Sequence, residues 1–159
     1  MKRAVFPGSF DPFTIGHLDV LKSSLRLFDS VVIAVGYNLQ KGGYFSVEER
    51  IEIIRQSVAH LKHVEIESYS GMTIDFCNKT GAEFIIRGVR STTDFDFERV
   101  IAQANTKMSP NIQTVFIPSS PEYSFISSTV VRDVLVNGGD AGIFLTPGLD
   151  ISALLKKRG

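Results

Sequence analysis

Two rhythms of apolar residues run along this chain: short continuous apolar runs, and longer stretches in which apolar residues recur every three or four positions. Ala4-Val5-Phe6 is the first run and reads as a strand; Leu18, Leu21, Leu25 and Phe28 then fall on one face of a helix. Val31 to Val35 is an unbroken, mostly β-branched run, as expected of a strand covered on both faces. Ser46-Val47-Glu48-Glu49 is a capping-box signature, because serine and Glu49 can each satisfy a backbone amide at a helix start. Ile51, Ile54 and Val58 continue that helix. Val64-Glu65-Ile66 alternates like a strand, and Met72 to Lys79 forms a short helix closed near Gly81. Phe84-Ile85-Ile86 is a strand, followed by a helix from Phe95 to Met108 that stops before Pro110. Thr114 to Ile117 is the fifth strand. A helix from Ser127 runs to Gly138-Gly139, and a last one covers about Ile151 to Lys157.

Five strand-then-helix units in succession predict an α/β fold: one doubly wound, five-stranded parallel sheet with helices on both faces. No linker, repeat or low-complexity segment divides the 159 residues, so a single domain over 1–159 is expected. Sheets of this kind bind ligands beyond the carboxyl ends of their strands. The residues just after each strand are therefore the candidates.

Composition narrows the function classes. The formal charge is zero and the pI about 6.8, and no extended basic run is present, which argues against a duplex nucleic-acid partner. Cys77 is the sole cysteine, so neither an internal disulfide nor a cysteine-rich zinc site can form, in keeping with a reducing, cytoplasmic setting. Charged and turn-forming residues interrupt the amino terminus, unlike a signal peptide, and no apolar segment approaches the roughly 18 residues of a membrane span. The mean hydropathy of +0.11 leaves room for a buried subunit contact.

Both common phosphate-binding signatures, GxxxxGK[ST] and a GxGxxG after the first strand, are missing. Three other clusters take their place. In the stretch GSFDPFTIGH, Gly8 and Pro12 shape a turn after strand one, Thr14 can cap the helix, and Gly16 leaves space for a bulky planar group. His17 then lies in the first helical turn, where backbone amides and the helix dipole already favour an anion. In IIRGVR, Arg87 and Arg90 leave a buried strand end, and guanidinium groups suit forked recognition of phosphate. Glu98, taken alone, reads as a solvated helix carboxylate. In YSFISSTVVR, Ser127, Ser128 and Thr129 crowd a helix start with more hydroxyls than a cap needs, and Arg132 lies one turn further on.

Lys41 sits in a glycine-bearing loop after strand two; a lysine in such a loop is ordinarily just solvated, and its place after a strand end also allows a mobile phosphate-binding role. His60 and His63 flank a helix-to-strand connection without carboxylate or cysteine at ligand spacing, so both are read as surface residues, and no metal site of protein side chains is expected.

GSFDPFTIGH, IRGVR and YSFISSTVVR, in this order and spacing, resemble the bacterial phosphopantetheine adenylyltransferases, a branch of the nucleotidyltransferase superfamily with an HxGH-type motif. The likeness covers essentially the whole chain. Thr14 stands where many superfamily members carry a first histidine, which favours this branch over the cytidylyl- and nicotinamide-mononucleotide-transferring ones. The resemblance implies a Rossmann-like fold and transfer of AMP from ATP to 4′-phosphopantetheine, giving dephospho-coenzyme A and pyrophosphate. It further implies that Ser9 and Phe10 contact ATP, that Ser9 also reaches the acceptor phosphate, and that His17 stabilises the pentacovalent phosphorus. Gly88, Val89, Arg90 and Glu98 would line the nucleotide site, with Tyr123, Ser124, Phe125, Ile126, Ser127, Ser128 and Thr129 holding adenine and the terminal phosphates. Lys41, Thr73 and Arg87 would hold phosphopantetheine. Mg²⁺ with ATP and a homohexamer are implied as well. One departure is visible: Gly42-Gly43 follow Lys41 where the family usually has a lysine- and proline-containing segment, which bears on the rigidity of that loop.

Two competing readings share these motifs. One keeps the chemistry and changes the acceptor to another phosphorylated metabolite. The other is a non-catalytic nucleotide-binding sensor.

Overall fold

The computed structural model describes residues 1–156. Its five strands are β1 (Arg3–Gly8), β2 (Ser30–Gly36), β3 (Val64–Tyr69), β4 (Phe84–Val89) and β5 (Gln113–Pro118). They form one sheet in the order β3-β2-β1-β4-β5, and every pairing is parallel. The helices between and after them are α1 (Ile15–Ser24), α2 (Val47–Val58), α3 (Thr73–Thr80), α4 (Thr92–Met108), α5 (Ser128–Val136) and α6 (Ser152–Lys156).

Alternation along the strands divides the interior into two layers. Ala4, Phe6, Val31, Ile33, Val35 and Ile86 share one cluster with Leu18 and Leu21 of α1, Ile53 and Ile54 of α2, and Val131 of α5. Val5, Val32, Ala34 and Ile85 point the other way, onto Ile74, Phe76 and Cys77 of α3. Helices therefore cover both faces of the sheet, as the apolar pattern predicts.

Local signals set the helix ends. At α2 the capping box is complete: the Glu49 amide donates to Ser46 Oγ (3.1 Å) and the Ser46 amide to Glu49 Oε1 (2.8 Å). Gly81 closes α3 at φ +71°, a left-handed conformation that costs glycine little. Helix α4 begins at Thr92, three residues before the expected Phe95, because Ser91 Oγ accepts the Asp94 amide and caps it there. Helix α1 stops at Ser24, short of Leu25 and Phe28; Phe28 still reaches the core because its amide donates to the Ser24 carbonyl in a turn. Short 3-10 turns at Pro121–Tyr123 and Gly142–Phe144 were not foreshadowed by periodicity. The last helix occupies Ser152–Lys156, and the expected end at Lys157 lies outside the described residues.

Candidate active site

Strand order reverses at β1. One chain connection runs outward to β2 and β3, the other to β4 and β5, so a crevice opens beyond the carboxyl ends of β1 and β4. A cleft of about 310 Å³ lies there, and its walls include Ser9, Phe10 and His17, Arg87 and Arg90, and Ser127 to Thr129. Three motifs dispersed in the sequence thus face one another.

His17 occupies the third position of α1. Its backbone amide donates to Thr14 Oγ1 (3.3 Å), and its ring Nδ1 accepts the Thr14 amide (2.9 Å). An imidazole nitrogen that accepts a backbone N–H carries no proton, so the neutral ring bears its hydrogen on Nε2. Among the described residues Nε2 has no hydrogen-bond partner. Phe10 and Phe13 pack against the ring, with centroids 5.0 and 5.3 Å away. Burial, followed by the charges of Arg87 and Arg90, lowers the His17 pKa to about 3. The ring is therefore a fixed neutral donor at ordinary pH, and neither an acid nor a base.

Phe10 is buried with φ +46°, and its ring stands edge-on to Phe6 (5.2 Å). Gly16 lines the cleft; a Cβ there would meet Tyr123 and Ile126 carbonyls at 3.9 Å, an ordinary contact, so the residue provides room without strain.

The arginines are held individually. Arg87 grips Glu98 with both arms of its fork, Nε to Oε2 (2.8 Å) and Nη2 to Oε1 (2.6 Å), while Nη1 donates to the Pro7 carbonyl (2.7 Å). Glu98 is thus no solvated carboxylate, as its isolated position in the sequence suggests; its side chain is only 13% exposed and is committed to Arg87. Arg90 donates to the Ile126 carbonyl (3.2 Å) and pairs with Asp94 (3.3 Å). Arg132 also faces the cleft, donating to the Asp11 carbonyl (2.8 Å) and Thr129 Oγ1 (3.2 Å), with no carboxylate partner among the described residues.

The hydroxyls at the start of α5 divide their tasks. Ser127 Oγ caps the helix by accepting the Val130 amide (3.2 Å), and Ser128 Oγ donates to the Pro12 carbonyl (2.8 Å). The amides of Ser128 and Thr129, in the first turn, have no intrahelical acceptor and can meet an anion. Ile126 also lines the cleft, whereas Val89, Tyr123, Ser124 and Phe125 are not part of its walls, and Phe125 is exposed against Phe144.

Two further hollows adjoin the first. One of about 560 Å³ is lined by Lys41, Asn38, Tyr44, Arg50 and Arg132. The other, about 290 Å³, is lined by Thr73, Arg87, Glu98, Ile101 and Asn105, and Thr73 Oγ1 lies 2.9 Å from the Tyr69 hydroxyl. Ser9 lines all three, which makes the set contiguous. Lys41 and Thr73 are not in one hollow but on either side of Ser9, Gly36 and Tyr69.

Several residues of the site escape motif reading. Asp19 of α1 accepts the Ser120 amide (3.0 Å) and hydroxyl (2.9 Å), pinning the segment after β5 beside His17. Asp11 and Arg50 form a buried pair below the Lys41 loop. Asp11 stands within the first motif, but its partners lie more than thirty positions away and leave no periodic trace. His60 and His63 are exposed, as expected, and no group of three or more metal-ligating side chains occurs among the described residues. No helix among them is long and apolar enough to cross a membrane.

A Cytidylyltransferase-like family model matches residues 5–134. The chain is 47% identical over 145 residues to phosphopantetheine adenylyltransferase of Flavobacterium psychrophilum, covering 91% of this chain and 95% of that protein. It is 44% identical over 157 residues to the enzyme of the same name from Streptomyces coelicolor, covering 99% and 98%. Among solved structures, a bifunctional NMN adenylyltransferase/ADP ribose pyrophosphatase from Francisella tularensis superposes with TM-score 0.73 at 20% identity, over 98% of this chain and 49% of that one. A Vibrio parahaemolyticus protein, provisionally named a nicotinate-nucleotide adenylyltransferase, gives 0.71 at 24% identity over 98% and 99%. At such identities the structures speak for the fold alone. The sequence relatives go further, and together with the shared cleft they place this chain in the Cytidylyltransferase-like family, among the phosphopantetheine adenylyltransferases.

Proposed function

We propose that the protein transfers AMP from ATP to 4′-phosphopantetheine, forming dephospho-coenzyme A and releasing pyrophosphate. The observation that carries this reading is the neutral His17 donor facing Arg87, Arg90 and the start of α5 across one cleft, with acceptor-sized hollows joined to it at Ser9.

The acceptor is already an anion, so its phosphate oxygen can attack the α-phosphorus of ATP without a protein base. A new P–O bond forms as the bond between the α-phosphorus and the bridging oxygen breaks, and pyrophosphate leaves with the electron pair. Negative charge grows on the non-bridging oxygens of the α-phosphate, and His17 Nε2–H is the donor aimed at them. The start of α5, with Arg132, receives the departing phosphates, while Gly88, Arg90, Ile126 and their neighbours take the nucleoside. Thr73, Arg87 and Lys41 hold the acceptor, Ser9 standing between the two substrates. Val89, Tyr123, Ser124 and Phe125 belong to the adenine end in this reading. Asp94 and Glu98, the carboxylates of the cleft wall, are engaged by Arg90 and Arg87. No cluster of metal-ligating side chains stands among the described residues, so Mg²⁺ would arrive with ATP as part of the substrate and would offset the charge of its phosphates.

Helix α4 offers a surface for self-association, the homohexamer that the family resemblance implies being the assembly proposed. None of its 17 residues is buried, and Phe97 and Val100 are 68% and 57% exposed, an apolar face that another copy would cover. Native mass spectrometry reads the assembly directly; a monomer at micromolar concentration would refute it. A cytoplasmic location accords with the substrates.

Pyrophosphate release with ATP, Mg²⁺ and a panel of phosphorylated acceptors tests the function. Release with 4′-phosphopantetheine is expected. Release only with another acceptor would assign the chemistry to a different metabolite, and ATP binding without release for any acceptor would make the protein a sensor.

A further inference from the structure

Asp11 and Arg50 are 6% and 5% exposed. Taking two charges out of water is costly, and a well-packed apolar pair often serves stability as well. Their closest approach, Arg50 Nε to Asp11 Oδ1, is 3.6 Å, too long for a hydrogen bond. The shorter contacts all go to backbone. Asp11 accepts the Tyr44 amide on Oδ2 and the Phe45 amide on Oδ1, each at 2.8 Å. Arg50 donates to the Phe45 carbonyl (2.9 Å) and the Ser9 carbonyl (3.4 Å), and the Asp11 carbonyl accepts Arg132 (2.8 Å).

Two side chains thus join the turn after β1, which lines every hollow, to the root of the loop bearing Lys41, and the backbone of the same turn holds Arg132, the arginine between the first two hollows. Gly43 completes the fit. A Cβ there would overlap the Arg50 guanidinium and stand 2.7 Å from Asp11 Oδ2. Residues 38–43 are exposed, yet the chain from Tyr44 onward is moored to buried charges.

We propose that Asp11 and Arg50 are positioning residues for the acceptor phosphate. The buried pair fixes the root of the Lys41 loop against Ser9 and so sets where an anion is held between that lysine and the reacting phosphorus. The proposal rests on the acceptor assignment made above and adds the device that keeps the two substrate sides in register.

Arg50→Lys keeps a charge beside Asp11 but loses the fork that reaches two carbonyls. Steady-state pyrophosphate release should show the KM for 4′-phosphopantetheine raised about tenfold, with the KM for ATP changed less than about twofold. In a Lys41→Ala background the same substitution should add almost nothing to the acceptor KM, because it acts through that loop. A purely structural role would lower the melting temperature and leave both KM values unchanged, or act equally in both backgrounds; either result overturns the proposal. Should Arg50→Lys not fold, Asp11→Asn is judged by the same pattern. Hydrogen exchange without substrate supplies a readout independent of turnover: the Tyr44 and Phe45 amides should exchange faster in Asp11→Asn while β2 stays protected, and unchanged protection at both contradicts the mooring. If the wild type releases no pyrophosphate with 4′-phosphopantetheine, the acceptor assignment fails, and the exchange experiment still decides whether the pair fixes the loop.

Discussion

Around His17 the cleft wall is built from the start of a capped helix, a ring of phenylalanines and hydrogen bonds that leave one nitrogen facing outward. Around Lys41 the wall is an exposed loop, held locally by the Lys41 amide donating to the Asn38 carbonyl and moored to buried charges where it enters α2. The contrast fits the roles proposed for the two ends. A donor for transition-state charge gains from being preorganised and desolvated. A group that captures an incoming phosphate has to meet solvent first.

The largest effect expected from breaking this contrast is at its rigid end. His17→Ala should lower kcat about 10²–10³-fold, roughly 3–4 kcal/mol, while ATP binding by calorimetry changes far less. Turnover near wild type would remove the histidine from the reaction. Arg87→Ala should weaken acceptor binding and also cost about 1–3 kcal/mol of unfolding free energy, because Glu98 is left without its fork. Replacing Glu98 by alanine as well should recover part of that stability but none of the acceptor affinity; urea titration and KM values separate the two.

The rigid end also responds to pH through the His17 ring. Its folded pKa of about 3 lies below the ordinary value of 6.5, so between these limits the unfolded chain takes up a proton that the native ring refuses. Stability therefore falls as pH drops from about 6.5 toward 3, by up to about 1.4 kcal/mol per pH unit from this group. Urea unfolding from pH 7 to 4.5 should show a shallower acid loss in His17→Gln than in wild type. Equal slopes would mean that the ring is protonated freely in the fold. At the exposed end, Lys41→Ala should raise the acceptor KM about tenfold, roughly 1.4 kcal/mol, with no change in melting temperature.

The sheet and its helices were legible because their apolar residues repeat at short range: the β-branched run at 31–35 and the Ser46 capping box each announce their element locally. The convergence of three motifs was legible too, since parallel strands bring the residues after them to one edge. Partnerships across the chain were not. Glu98 looks solvated in sequence because nothing near it reveals that α4 brings it back onto Arg87, eleven positions earlier. Asp11 carries no signal of its own within the first motif, because its partners are the distant amides of Tyr44 and Phe45. Gly43 reads as looseness in the loop, whereas it stands where a side chain would displace Arg50. The early start of α4 at Thr92, capped by Ser91, was available to capping rules and was masked by the apolar signal beginning at Phe95.

The proposed chemistry depends on the protonation of one ring, which nitrogen-15 NMR of the His17 imidazole reads. The hydrogen should reside on Nε2, with no titration between pH 8 and about 4.5, as the pKa near 3 requires. A midpoint near 6.5, or a hydrogen on Nδ1 in the neutral ring, would contradict a preset donor facing the α-phosphate.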